Sequence, residues 1–323
     1  MYHKKMRLRR MLSASVIVAL LAGLLPPAVA EAAVSDHIVP LAPQALPPQG
    51  ITVDLFDHWL DAQDAPDDGK PENGAERGIN KDHVLNFGKN MGRGNPNSAD
   101  FNINWWTESA QPKTNIVKRT LGDDGYPQMN YVSATEQGDG ESLAYLFNGV
   151  SGAGKQAFIN TGGLLRQNSA GYYTYDSKDN FAAFNAATNS FALYDAPGVV
   201  SSGSSRIMGQ FFPFNTGEQV FGEKDGKLFS TISSANRTIK HYFGLHMTTR
   251  FQQPAGGENN GEPVTFGFTG DDDVWIFIDG VRVADLGGNH NACSVAIDFA
   301  QGGVTVYDDV NGNGAYDSGD QSY

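Results

Sequence analysis

The chain has one cysteine, Cys293, among 323 residues. An intramolecular disulfide is therefore excluded, so an exported fold must rest on a large core, on metal, or on both. Basic residues are scarce. The 23 Lys and Arg face 36 Asp and Glu, for a formal charge of −13. Gripping nucleic-acid phosphates needs a basic patch, so no nucleic-acid partner is expected. After the first thirty residues no apolar run approaches the roughly 20 residues a membrane helix needs. Neither a His-Glu-x-x-His helix nor a Gly-x-Ser-x-Gly elbow occurs. Scattered acids leave a carboxylate pair for glycoside hydrolysis conceivable, but no two can be placed at the needed separation. No catalytic residue is assigned, and the chain reads as a non-enzyme.

What is present begins with an export signal. Lys4, Lys5, Arg7, Arg9 and Arg10 precede an apolar run over residues 16–25. Pro26 and Pro27 end that run, and Ala28-Val29-Ala30 forms a small-x-small cleavage site. That order predicts a secretory signal peptide over residues 1–30, and hence secretion or cell-surface display without a membrane span after cleavage. Its removal leaves 18 basic against 36 acidic residues, a charge of −18. Such acidity suits an extracellular surface and cation binding, or it only solvates the surface.

Residues 31–49, with Pro40, Pro43, Pro47 and Pro48, read as a linker. From Ile51-Thr52-Val53-Asp54-Leu55-Phe56 onward, apolar runs are short and bounded by Gly, Asn and Asp. Ala144 to Phe147, Tyr172 to Tyr175 and Phe191 to Tyr194 read as strands, and a short helix is predicted around residues 180–187. The expectation is an all-β sandwich or barrel over residues 50–300, with long loops and few short helices. Residues 301–323 follow as a calcium-loop segment that opens a further domain.

Val264 to Phe268 reads as one strand, and Val274 to Ile278 as a buried central strand because it is apolar on both faces. Asp279-Gly280 is the two-residue turn of a type I′ hairpin, and Val281 to Leu286 returns. Asp271, Asp272 and Asp273 lie at the mouth of this hairpin. Three adjacent carboxylates beside an apolar strand repel one another, and a divalent cation removes that cost. A solvated acidic turn is the other reading. Asn289, His290 and Asn291 should lie at the same end and are the candidate ligand-binding residues, although a buried loop histidine is more commonly structural.

The sharpest motif comes last. Residues 309–320 match the twelve-residue calcium loop, with Asp309, Asn311 and Asn313 at positions one, three and five. Gly314 supplies the turn, Ala315 its carbonyl, Asp317 stands at nine and Asp320 at twelve. Asp replaces Glu at twelve, and its shorter arm lowers the expected affinity. The Asn/Gly pattern also suits a metal-free turn.

Other motifs carry less. Gly149 to Lys155 approaches a phosphate-binding loop, but Gln156 stands where Ser or Thr must reach magnesium. His241 and His246 would face opposite sides of a strand. Trp105 and Trp106 would also point apart, one into the core and one outward.

Phe268 to Gly280, continuing through Asp285-Leu286-Gly287-Gly288-Asn289-His290, resembles the fibro-slime domain. Residues 120–130, 141–147, 209–215 and 241–251 extend the resemblance to about residues 50–300. That domain is similar to the protective-antigen-type β-barrel of bacterial and fungal surface proteins. The resemblance implies a barrel in which two adjacent aspartates, here Asp271 and Asp272, help hold a calcium ion that contacts sugar hydroxyls. Together these readings predict a calcium-binding adhesin or carbohydrate-binding module with a glycan or a cell-wall or matrix partner. Two alternatives stand beside it: a structural wall or matrix component stabilised by Ca2+, and an accessory domain of a secreted glycoside hydrolase. The chain stops soon after the second loop with no wall-anchoring tail, as a piece of a longer protein would.

Overall fold

The computed structural model describes residues 38–42, 50–58, 112, 114–130, 140–152, 155–195, 211–224, 227–230, 239–240, 243–270, 273–287, 290, 292–310 and 316–323. The expected signal peptide and the Trp105–Trp106 pair lie outside them. Along the chain come β1 (Val39–Pro40), β2 (Ile51–His58), α1 (Ala144–Phe147), β3 (Lys155–Phe158), β4 (Arg166–Gln167) and β5 (Tyr173–Thr174). Then follow β6 (Asn180–Asn185), β7 (Ser190–Asp195), α2 (Gly217–Val220), β8 (Phe221–Lys224), β9 (Lys227–Ser230) and β10 (Phe243–Thr249). The last third holds β11 (Glu258–Asn259), β12 (Glu262–Pro263), β13 (Thr265–Gly270), β14 (Val274–Ile278) and β15 (Val281–Leu286). It ends with β16 (Cys293–Asp298), β17 (Gly303–Asp308) and β18 (Gln321–Ser322).

The protein is all-β with few short helices. Its strands pair antiparallel in separate sheets, and among the described residues none closes into a barrel. One sheet runs β10-β2-β3, and another runs β13-β16-β17-β18. Alternation explains β2: Val53 and Leu55 face the core, while Asp54 turns outward to His246. The first sheet is long in register, from Phe243 opposite Asp57 to Thr249 opposite Ile51. The core joins Leu55 and Phe243 of that sheet to Phe268, Val295 and Ile297 of the other, and to Leu286 of the hairpin. Aromatic rings fill the space between, with Phe211 set 5.5 Å from Tyr175 and 5.6 Å from Phe243.

Three expectations change. Ala144–Phe147 is one helical turn, not a strand, because Ser142 Oγ accepts the Ala144 N–H and Asn148 N–H closes on Ala144 O. Residues 180–185 form strand β6, not a helix: β7 pairs with it throughout, and Asn189 takes a positive φ of 52° in the connecting turn. The strand at 274–278 is half-buried, and among the described residues it pairs with β15 alone, not as the buried central strand expected. Residues within the 31–49 and 301–323 segments also take part in pairing and packing. Val39 and Pro40 pair with β7, Ile38 packs with Phe181 and Val220, and β17 and β18 belong to the sheet of β13.

Candidate metal centre

The β14–β15 hairpin forms as its sequence requires. Asp279 and Gly280 both take positive φ, 49° and 79°, which is the backbone of a type I′ turn. The register pairs Val274 with Leu286, so Asp273 and Gly287 do lie at one end. Asp273 is buried at 8 % exposure and His290 at 0 %. Asp271, Asp272, Asn289 and Asn291 lie outside the described residues.

The hairpin is anchored from its side. Arg282 donates to Asp285 at 2.8 Å and to Val117 O, and Asp285 also accepts the Asn115 N–H at 2.7 Å. Leu121 N donates to Gly280 O at the turn, so the 114–121 stretch braces the hairpin from its foot to its tip. Burial raises the Asp285 carboxyl, opposed by the Asn115 N–H and by Arg282.

The second candidate, the 309–320 loop, joins β17 to β18. Asp320 turns back across it: Oδ1 accepts Val310 N at 3.0 Å, and Oδ2 accepts Asp317 N at 2.9 Å. Asp317 Oδ1 takes Gly319 N at 2.8 Å. The last position of the motif therefore lies against its second and ninth. The Tyr307 hydroxyl is pushed up to about 12, first by burial and then by Asp309, with Asp320 adding to it. Asn311, Asn313 and Ala315 lie outside the described residues, and among those described no three His, Cys, Asp or Glu side chains converge as a metal cage. The donors fit calcium in kind. All are oxygens, and each Asp320 oxygen keeps a second lone pair after accepting its N–H.

Other motif residues take structural places. Lys155, the lysine of the phosphate-loop look-alike, points inward: Nζ meets Asn148 Oδ1 at 2.8 Å and Asn148 O at 2.9 Å. It cannot cradle a phosphate from there. His246 faces Asp54 at 3.6 Å on the sheet surface, and burial lowers its pKa. His241 lies outside the described residues.

Sequence reasoning missed a buried polar row on β2. His58 is 1 % exposed, and burial followed by the charge of Lys155 lowers its pKa to about 3. Its neighbour Asp57 faces the other side, 3.4 Å from Lys240, and burial lifts its carboxyl to about 6. The only trace in the sequence is an acid and a histidine side by side at the end of the strand.

The chain is similar to proteins of Dictyostelium discoideum over part of its length. It is 49 % identical to protein psiP over 79 residues, which is 24 % of this chain and 10 % of psiP. It is 27 % identical to protein psiH over 212 residues, or 64 % of this chain and 25 % of psiH. With protein psiK the identity is 55 % over 42 residues, 13 % of this chain and 6 % of psiK. The chain thus spans a quarter or less of these relatives. No protein-family model and no solved structure matches it.

Proposed function

We propose that the protein is a secreted or cell-surface module that binds calcium and acts as an adhesin or carbohydrate-binding module, without catalysis. The observation carrying this reading is the closure of the 309–320 loop, where Asp320 accepts N–H groups from Val310 and Asp317 at 3.0 and 2.9 Å. A loop closed in this way sets the Asp320 carboxylate beside its second and ninth residues, and a cation bound there would offset the repulsion among the acids of the motif. Asp309, Asp317 and Asp320 would hold calcium with Asn311, Asn313 and the Ala315 carbonyl. The ion would supply a fixed positive charge to the end of the β17–β18 hairpin. Asp271, Asp272 and Asp273, with Asn289, His290 and Asn291 nearby in sequence, would make the second site, the one able to meet a glycan. The export signal and the charge of −18 left after its removal support a place outside the cell. Among the described residues no helix is long and apolar enough to cross a membrane.

Thermal unfolding of residues 31–323 tests the reading. Calcium at ten times its Kd should add about 1.4 kcal/mol, a rise of roughly 2–4 °C over the curve in chelator. The Asp309→Ala/Asp320→Ala variant should lose most of that rise. Coincident curves for the unsubstituted chain would remove calcium from the proposal. Chelator-sensitive retention on a glycan array separates the adhesin from a purely structural wall component, which would bind calcium and no glycan.

A further inference from the structure

Lys155 opens β3 at 1 % exposure, with His58 as its register partner across the sheet. Its Nζ lies 5.4 Å from the centre of the Phe56 ring. Among the described residues no carboxylate pairs with it; its polar contacts are Asn148 Oδ1 at 2.8 Å and Asn148 O at 2.9 Å. An ammonium buried without a counter-ion is costly, and carbonyl dipoles offset only part of that cost. Burial accordingly pulls the Lys155 amine down to about 8, which leaves roughly a tenth of it neutral at pH 7. A nucleophilic amine is thus held in hydrogen-bond contact with a carboxamide, and the carbon it would attack is one bond from the oxygen it touches.

We propose that Lys155 and Asn148 join through an intramolecular isopeptide bond. The neutral fraction of the amine attacks Asn148 Cγ. The Nζ–Cγ bond forms, and one Nζ proton passes to Nδ2. The Cγ–Nδ2 bond breaks and ammonia departs. Charge and atoms balance, and no oxidant or metal takes part. Holding the two groups in place supplies effective molarities of up to roughly 10⁵–10⁸ M, enough to bring a slow aminolysis within reach. The product is a neutral amide, so the uncompensated buried charge disappears. The bond ties the C-terminal end of α1 to the first residue of β3. In a chain with one cysteine it is a covalent staple of a kind other than a disulfide.

Intact mass spectrometry of the purified full chain decides the matter. The expected mass is one ammonia below that calculated from the determined N-terminus, and the Asn148→Ala variant should show its full calculated mass. After denaturation, trypsin should fail to cut behind Lys155, and fragment ions between residues 148 and 155 should be missing. The full calculated mass with ready cleavage after Lys155 would overturn the proposal. An ammonia loss that maps to another site would overturn it equally. The mass of the unsubstituted chain settles the question even if the variant fails to fold.

Discussion

His58 and Asp57, adjacent on β2, respond to acid in opposite senses. The folded pKa of His58 is about 3 against an ordinary 6.5, so the unfolded chain takes up its proton first. Stability carried by His58 is therefore present above about pH 6.5 and lost as pH falls towards 3, in all about 5 kcal/mol. Asp57 is raised from 3.8 to about 6, so its contribution is full at low pH and lost as pH rises through 6. The His58 span is the wider, and the net expectation is a chain that weakens on acidification. Urea midpoints between pH 4 and 7 check this. His58→Phe should flatten the acid loss, and Asp57→Asn should steepen it. Indistinguishable profiles for all three proteins would contradict the account. None of this was legible in the sequence, because a histidine and a lysine at strand ends read as surface residues. Only the cross-strand register, which sets Lys155 against His58, shows that both are enclosed. For the same reason Lys155 looks like a phosphate-loop lysine in one dimension and a buried amine in three.

Among the elements, the β14–β15 hairpin was the most legible part of the chain. Asp-Gly between two runs of strand formers leaves few alternatives, and both turn residues adopt the φ it requires. Gly280 needs that backbone but has nothing within 4 Å of a built Cβ, so Gly280→Ala should cost about 1–2 kcal/mol through φ alone. Gly257 differs, since its φ is 69° and a Cβ would come within 2.1 Å of Ala300 Cα. Gly257→Ala should therefore cost more, about 2–5 kcal/mol. Denaturant unfolding of the two variants checks the order, and equal losses would contradict the packing described around Ala300. The helix at 144–147 and the strand at 180–185 were misread because local pattern lost to neighbours. One turn of helix is fixed by Ser142 and buries Leu146, and an alanine-rich run becomes a strand because β7 lies alongside it. The half-burial of β14 was hidden as well. An apolar strand signals burial without saying how many strands flank it.

For the molecule as a whole, the all-β class and the strand that begins at Ile51 follow from short apolar runs between turn residues. The reach of the fold does not. Ile38 to Pro40 falls in a proline-bearing stretch, yet a single buried isoleucine and two ladder pairs fasten it. The C-terminal calcium motif reads as an appendage, whereas Tyr307 at 2 % exposure and the pairing of β16 with β17 root it in a four-stranded sheet. A metal in that loop is therefore joined to the core through β17. Calcium should protect β16 and β17 amides from hydrogen exchange, and Asp309→Ala/Asp320→Ala should remove that protection. The direct test of calcium binding is titration calorimetry on residues 31–323, beside Asp271→Ala/Asp272→Ala and Asp309→Ala/Asp320→Ala. The account predicts two binding events, each lost in its own variant, with the loop site weakened towards roughly 10⁻⁴ M by aspartate at position twelve. Absence of any calcium heat in the unsubstituted, folded chain would contradict it.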